Sequence, residues 1–277
     1  MSKADLISEA LDEEVVVSRV LADPRPVVFI DTCCLGDVFR RMLEGKTDFV
    51  RNTIKAIQGN QTKHICHYLF SEQVVREFSR KDQFVKREID SLNTPIKHWN
   101  NAVDVCADVN GDFLVENLDG FMRIDLEQVQ GFYTMVLEHI AELFKMGFII
   151  KPSEDSIRWG AARQSLGKRP AQLGKDSYGD CVICGSALNV MRALRIKGFP
   201  LPAYFTSSNI KDYAQGTQLH SDLVDEFGEC KMSYCQTILE AYGLIVKRAN
   251  KKRRREHSGD WGRRWAPRLI KVVRRCR

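Results

Sequence analysis

The run Val27-Val28-Phe29-Ile30-Asp31-Thr32 decides the fold expected of this chain. Its apolar part is short and rich in β-branched residues, which is typical of a central strand buried on both faces of a parallel sheet. Similar short runs occur at 64–69, 147–151 and 202–206, and we predict the last of these as the final strand. Helical patterns separate the runs. Strands that alternate with helices predict an α/β fold in which helices cover both faces of a parallel sheet.

Helices account for most of the remaining chain in this prediction. Residues 177–196 form the clearest helical pattern, and Ser71 is a suitable N-cap for a helix that follows the strand at 64–69. Residues 80–146 have little strand signal, so we interpret this region as a helical insertion or lid. Further helices are predicted over 4–22, 34–44, 48–58, 154–165, 219–227 and 232–242.

The composition is that of an ordinary globular protein. Of the 277 residues, 44% are hydrophobic and 28% are charged, and no apolar run approaches the ~20 residues that span a bilayer. The first residues lack the basic start and apolar core of a signal peptide, so we expect a cytoplasmic protein without membrane contact. The nine cysteines are expected to be reduced and buried. Cys181 and Cys184 have zinc-like spacing but lie in a predicted helix, and they are interpreted as core thiols. Cys33 and Cys34 follow Asp31 and can lie near the predicted site, but both are interpreted as packing residues.

Charge is divided unevenly along the chain. Residues 247–277 contain 14 Lys and Arg but two acids, which gives +12, so the total of +6 leaves −6 for residues 1–246. We therefore predict one domain over 1–246 and a basic, flexible tail over 247–277 that binds a polyanion such as a nucleic acid. The tail residues that can neutralise phosphates or stack on bases are Arg253, Arg254, Arg255, Trp261, Arg263, Arg264 and Trp265. The alternative is a disordered end that only aids solubility.

Acidic residues recur where the predicted strands end or the predicted helices begin. They are Asp31, Glu77, Asp176, Asp180 and Asp212. Open parallel sheets place their ligand sites at the edge where strands end. Carboxylates gathered there repel one another unless a hard cation joins them, and Mg²⁺ and Mn²⁺ prefer oxygen ligands. The sequence therefore predicts a site for Mg²⁺ or Mn²⁺.

The motifs that carry these acids resemble those of PIN-domain nucleases. They are the strand that ends in Asp31-Thr32, Val-x-x-Glu at 74–77, Asp-x-x-x-Asp at 176–180 and Thr-Ser-Ser-Asn-Ile-Lys-Asp-Tyr at 206–213. The chain most resembles the larger bacterial PIN-like group, in which a helical insertion separates the second and third acids. The resemblance implies a doubly wound α/β/α fold and metal-dependent cleavage of phosphodiester bonds, usually in RNA. DNA is left open as a substrate, and so is a role as a toxin or phage-defence nuclease.

The resemblance also implies a role for each acid. Asp31, Glu77, Asp180 and Asp212 match the metal-binding and catalytic acids of the family, and Asp176 matches a variable fifth acid. Asp31, Asp180, Asp212 and Asp176 would hold Mg²⁺ or Mn²⁺, while Glu77 would hold or deprotonate the attacking water.

Residues next to the acids are expected to support them. Thr32 and Ser207 can hydrogen-bond the carboxylates that hold a metal. Asn209 stands where many small PIN toxins have a further Asp. It can position a water but adds no charge, which leaves open whether one or two metals bind. Lys175 and Lys211 can contact the scissile phosphate or balance the acidic charge.

Other functions fit the same residues. A PIN-like domain without catalysis could dock on RNA through the tail, and Asn209 supports that alternative. A strand that ends in Asp31-Thr32 also suits the aspartyl nucleophile of haloacid-dehalogenase-type phosphotransferases, although Cys33 stands where such sites usually have a second Asp. Glu77 can also be a solvated helix residue, and Asp176 a helix cap. A homo-oligomer or an antitoxin partner is left open.

Overall fold

The computed structural model describes residues 7–44, 46–80, 94, 96–98, 100–101, 125–216 and 218–251. Its strands are β1 Leu11–Asp12, β2 Val27–Ile30, β3 His67–Ser71, β4 Phe148–Lys151, β5 Ala203–Thr206, β6 Ala214–Gln215, β7 Gln218–Leu219 and β8 Met232–Cys235. Six of these strands form one parallel sheet in the order β1-β4-β3-β2-β5-β8, and β6 and β7 form a small antiparallel pair. The predicted α/β fold with a parallel central sheet is therefore confirmed.

Helices follow most of the strands. They are α1 Glu13–Ala22, α2 Thr32–Leu43, α3 Thr47–Lys63, α4 at 72–80, α5 Leu126–Met146, α6 Glu154–Leu166, α7 Tyr178–Ile196, α8 Ile210–Tyr213, α9 Ser221–Glu229 and α10 at 238–251. Helix α7 is the centre of one group and packs against α1, α6 and α9. A second group consists of α2, α3 and α5, which pack against one another. Because every residue of β2 and β5 is buried, both faces of the central strands are covered. This arrangement is compatible with a doubly wound α/β/α fold.

The strand order places a reversal at the centre of the sheet. From β2 the chain moves outward on one side through β3 and β4, and it then returns to place β5 on the other side of β2. Phe29 pairs with Phe205 and Ile30 with Thr206, so β2 and β5 end at the same level. The Asp31 N–H continues this pairing by donating to the Thr206 carbonyl at 3.0 Å. Open α/β sheets bind ligands in the crevice beyond such a reversal.

Apolar packing fixes α4, the helix that carries Glu77. Val74 and Val75 are fully buried, and the Phe78 ring lies 5.7 Å from that of Phe144 on α5. Phe144 also meets Phe70 of β3 edge-on, with ring centroids 4.8 Å apart. Removing one such ring typically costs about 3–5 kcal/mol. The core therefore holds α4 rigidly against the end of β3.

The main errors of the sequence-based prediction lie at the two edges of the sheet. Residues 202–206 are not the final strand, because Met232–Cys235 pairs with β5 in a region predicted as helix. Its short, half-polar sequence carries little strand signal, and pairing with a buried neighbour decides its conformation. Similarly, the helix predicted over 4–22 is interrupted by Leu11–Asp12, which pairs with β4.

Two predicted regions lie largely outside the described residues. In the expected insertion at 80–146, the described part ends in the helix α5, Leu126–Met146. The expected tail begins at 247, and α10 continues across that position to residue 251; the basic and aromatic tail residues beyond it are outside the described residues. Within the described part of the chain, no helix is long and apolar enough to cross a membrane.

The described cysteines are free thiols, in agreement with the prediction. All are buried except Cys33, which is half-buried. Cys181 and Cys184 lie inside α7 with 0% exposure, so they are core residues. Cys34 is also buried in the core, at 4% exposure.

Candidate functional site

A polar cavity of about 330 Å³ opens at the carboxyl edge of the sheet. The fold brings four acidic residues from different parts of the sequence to its lining: Asp31, Glu77, Asp176 and Asp180. The other lining residues are Thr32, Cys33, Gln73, Arg80, Ser177, Gly179 and Asn209. The cavity lies beyond the ends of β2 and β3 and at the start of α7, as expected for a ligand site in an open parallel sheet.

Asp31 is the most buried acid of the cavity, with 1% exposure. Its Oδ1 accepts a hydrogen bond from the Thr32 N–H at 2.6 Å, and its Oδ2 accepts from the Ser207 hydroxyl at 2.6 Å. The Cys33 thiol donates to Oδ2 at 2.9 Å. Burial raises the pKa of Asp31 well above its ordinary value, and the neighbouring Cys33 and Glu77 raise it further, while the Ser207 hydrogen bond lowers it. Asp31 thus has a fixed orientation, but its surroundings disfavour the charged form of its carboxyl group.

Glu77 is fixed to Asp31 through Thr32. The Thr32 hydroxyl donates to Glu77 Oε2 at 2.8 Å, while the Thr32 N–H donates to Asp31. Gln73, one turn earlier on α4, donates to Glu77 Oε1 at 2.8 Å. On the opposite wall, a Cβ added to Gly179 would collide with Glu77 Oε1. A glycine at this position therefore allows α7 to approach the carboxylate closely.

Asp180 lies in the first turn of α7 and is half-buried. Burial raises its pKa to about 8, and the negative charges of Asp31, Glu77 and Asp212 add to the effect, while Lys175 opposes it. The Tyr213 hydroxyl donates to the Asp180 carbonyl at 2.9 Å and so anchors the start of the helix.

Asp176 lies just before α7 and is exposed. Its Oδ1 accepts a hydrogen bond from the Tyr178 N–H at 3.3 Å, a contact typical of a residue at a helix N-terminus. It nevertheless lines the same cavity as the other three acids.

Asp212 occupies a different environment from the other predicted site acids. It is fully buried, but it does not line the cavity. Its carboxylate accepts from Lys175 Nζ at 2.6 Å, from Asn209 Nδ2 at 2.6 Å, from the Arg169 guanidinium at 3.5 Å and from the Gln172 amide. Asp212 is therefore bound by a basic loop, although it lies close enough to Asp180 for its charge to raise the pKa of that residue.

The residues expected to support the acids occupy varied positions. Ser207 binds Asp31 and is itself held, since its carbonyl accepts from the Tyr234 hydroxyl at 2.6 Å. Asn209 lines the cavity but directs its amide group to Asp212. Lys175 forms an ion pair with Asp212, and Lys211 is exposed.

Sequence reasoning misjudged or missed several residues of the cavity. From the sequence, Cys33 is interpreted as a packing residue close to the site, but it lines the cavity, and its thiol contacts both Asp31 and the Ser207 hydroxyl, the latter at 3.1 Å. Its place two residues after a strand-end acid was the signal for this position. Gln73 and Arg80 lie one turn to either side of Glu77 on α4, and that helical spacing could have identified them.

The cavity lining has features that fit a divalent cation. Its carboxylates offer the oxygen ligands that Mg²⁺ and Mn²⁺ prefer. Burial raises the pKa of Asp180 and the neighbouring negative charges raise it further; a bound cation would offset the repulsion between these charges. Ser177, which lines the cavity, is 2% exposed, and its hydroxyl has no hydrogen-bond partner among the residues that the structure describes. Within the described ranges, however, no three His, Cys, Asp or Glu side chains are grouped closely enough to hold a metal ion. The acids face a common space without converging on one point.

The resemblance to PIN-domain nucleases rests on the four sequence motifs described above. The chain matches no family model, no curated protein and no solved structure.

Proposed function

We propose that this chain is a metal-dependent nuclease of the PIN-like type that hydrolyses phosphodiester bonds, with RNA as the preferred substrate and Mg²⁺ or Mn²⁺ as cofactor. One observation carries the proposal: four carboxylates line a single polar cavity at the reversal point of a parallel sheet. A cavity with this lining has little affinity for an apolar ligand. It suits a site in which a cation and a charged substrate meet.

Asp31 and Asp180 are the acids best placed to hold the cation in this proposal. Asp31 is fixed by three hydrogen bonds at a strand end, and Asp180 has no hydrogen-bond donor on its carboxylate within the described residues. Asp176 can add an oxygen at the rim of the cavity. A bound divalent cation would lower the pKa of the attacking water and offset charge on the phosphate oxygens.

Glu77 is the candidate for the group that receives a proton from the attacking water. Both of its oxygens accept hydrogen bonds, from Thr32 and Gln73, so the carboxylate has a fixed orientation on the cavity wall. A general base acts efficiently only when it is held within hydrogen-bond reach of the proton that it takes. Arg80 lines the same cavity and can neutralise a phosphate oxygen of the substrate.

The test is cleavage of end-labelled single-stranded RNA and DNA of the same sequence. Wild-type protein, Asp31→Asn and Asp225→Asn are compared with Mg²⁺, Mn²⁺ or EDTA. Asp225 is an exposed carboxylate on α9 and serves as the matched control. We expect cleavage of RNA by wild type and Asp225→Asn, no cleavage in EDTA, and a loss of about 10²-fold or more in Asp31→Asn. Full activity of Asp31→Asn would refute the proposed site.

A second candidate is a PIN-like module that binds RNA without cleaving it. The position of Asp212 favours this alternative, because its charge is balanced by Lys175 and Arg169 rather than directed into the cavity. Such a module would bind the labelled RNA in a mobility-shift assay, and no metal would yield cleavage products. Cleavage that disappears in Asp31→Asn would exclude it.

A further inference from the structure

The loop at 167–177, between α6 and α7, is attached to Asp212 by three side chains. Arg169 and Gln172 donate to Asp212 Oδ1, and Lys175 donates to Oδ2. Asn209, from the segment before α8, supplies the second donor to Oδ2. Residues that lie 37 to 43 positions before Asp212 in sequence therefore meet at one buried carboxylate.

These contacts use the full capacity of the Asp212 carboxylate. A carboxylate offers about four lone-pair sites, two on each oxygen. Each oxygen of Asp212 receives two donors, so none of these sites is left for a metal ion. Asp180, by contrast, lines the cavity, and no hydrogen bond to its carboxylate forms within the described part of the chain. The two acids have the same side chain in different environments.

The burial of Asp212 also depends on the loop. Its side chain is 0% exposed, and an isolated buried carboxylate is strongly unfavourable unless hydrogen-bonded cations surround it. Lys175 and Arg169 supply that compensation, yet their side chains remain 49% and 27% exposed. An ammonium has three donors and a guanidinium five, so each group keeps donors free of Asp212.

The rest of the loop is fixed in the same place by backbone contacts. Gln164 at the end of α6 donates to the Lys175 carbonyl at 2.7 Å and accepts from the Ser177 N–H at 3.1 Å. The Arg169 N–H donates to Asp222 on α9 at 3.0 Å. The next residues after Lys175, Asp176 and Ser177, line the cavity. The loop thus leads directly into the cavity lining, and the charge of Lys175 lowers the pKa of Asp180.

We propose that Asp212 is a positioning residue that holds Lys175 and Arg169 at the cavity rim, where they bind the phosphates of the substrate, and that it is not a metal ligand. The phosphate-binding part rests on the proposed nuclease function. The positioning part rests on the contacts of Asp212 alone. The two parts therefore need separate measurements.

Hydrogen exchange of the full-length protein tests the positioning part. Asp212→Asn keeps the shape of the side chain but removes its charge, and Gln172→Ala weakens the same contact from the loop side. We expect the amide hydrogens of residues 168–177 to exchange about 5- to 30-fold faster in Asp212→Asn, because the loss of one or two ordinary interactions changes an opening equilibrium by about this factor. Gln172→Ala should show a smaller increase in the same segment, and Asp225→Asn none. Unchanged exchange of the loop in both variants would overturn the proposal.

Titration with MnCl₂, followed by calorimetry, tests whether Asp212 is a ligand. We expect Asp212→Asn to bind Mn²⁺ within about threefold of wild type, and Asp180→Asn to bind it at least about tenfold more weakly. Equal losses in the two variants would overturn the proposal. If wild type binds no Mn²⁺, the nuclease proposal fails, and the exchange experiment still decides the role of Asp212.

Salt dependence of binding to single-stranded RNA tests the phosphate contact. Lys175→Gln should reduce the slope of log K against log salt by about 0.7, the value for one phosphate contact. Lys63→Gln is the matched control, because Lys63 is exposed at the end of α3, before β3 begins and thus at the opposite edge of the sheet. Asp212→Asn should raise KM more than it lowers kcat, whereas Asp31→Asn should lower kcat. A slope for Lys175→Gln equal to that of wild type would contradict the phosphate contact.

Discussion

Asp180→Asn should make the stability of the metal-free protein less sensitive to pH. In the folded protein the pKa of Asp180 is raised to about 8, mainly because the carboxylate is buried beside other acids. In the unfolded chain its pKa returns to about 3.9. Between these values the folded state holds a proton that the unfolded state has lost, so the free energy of unfolding falls as pH rises. The stabilisation that this retained proton provides is complete below about pH 4 and is lost by about pH 8.

The size of the effect follows from the same shift. One proton corresponds to at most about 1.4 kcal/mol per pH unit, so wild type should lose up to about 2.7 kcal/mol relative to Asp180→Asn from pH 5 to pH 7. This is an upper bound, because solvent reaches a half-buried carboxylate and the neighbouring acids share the titration.

Urea unfolding in EDTA, followed by circular dichroism at pH 5, 6 and 7, measures the difference. Asp225→Asn controls for the loss of an ordinary exposed carboxylate and should follow wild type. If wild type and Asp180→Asn lose stability in parallel over this range, the raised pKa of Asp180 and its cause, burial beside other acids, are refuted.

Three further predictions concern other parts of the site. Gly179→Ala should lower cleavage at least about tenfold by displacing Glu77. The control is Gly228→Ala, where an added Cβ meets nothing within 4 Å; it should leave cleavage unchanged and stabilise α9 by up to about 1 kcal/mol. Equal cleavage rates for the two variants would contradict the close approach of α7 to Glu77. Tyr234→Phe should lower the free energy of unfolding by about 1 kcal/mol in urea titrations, because it removes a 2.6 Å hydrogen bond to the backbone beside the site. Cys33 should react with iodoacetamide at pH 7 more slowly than free cysteine, since burial raises the pKa of its thiol. Mass spectrometry of the labelled peptide measures the rate, and labelling faster than that of free cysteine would contradict the prediction.

The sequence was sufficient for the centre of the sheet. Val27–Ile30 is apolar on both faces, so its pattern alone predicts a buried parallel strand that ends in a carboxylate. Met232–Cys235 lacks that signal, since its polar serine leaves only part of the strand buried. Its conformation comes from pairing with β5, which no local pattern reveals.

Side-chain direction at the site was beyond sequence reasoning. The motifs put Asp31, Glu77, Asp180 and Asp212 at element ends, and the first three do line one cavity. Asp212 differs because its direction is decided by Lys175 and its neighbours on a distant loop. Local spacing cannot predict such a contact, because two segments far apart in sequence must both be placed before the side chains can meet.

The hydrogen bond between Ser207 and Asp31 joins residues 176 positions apart in the chain. At ribosomal rates of about 5–20 residues per second, about 10–35 s pass between the synthesis of the two. Between the synthesis of residues 77 and 167, a nascent chain carries Asp31 and Glu77 but neither β5 nor the loop that engages Asp212. A polypeptide interrupted at this stage has acids without a cavity. Any activity of this site should therefore appear late in synthesis, once nearly the whole sheet has emerged, so that truncated products made in the cell would be inert.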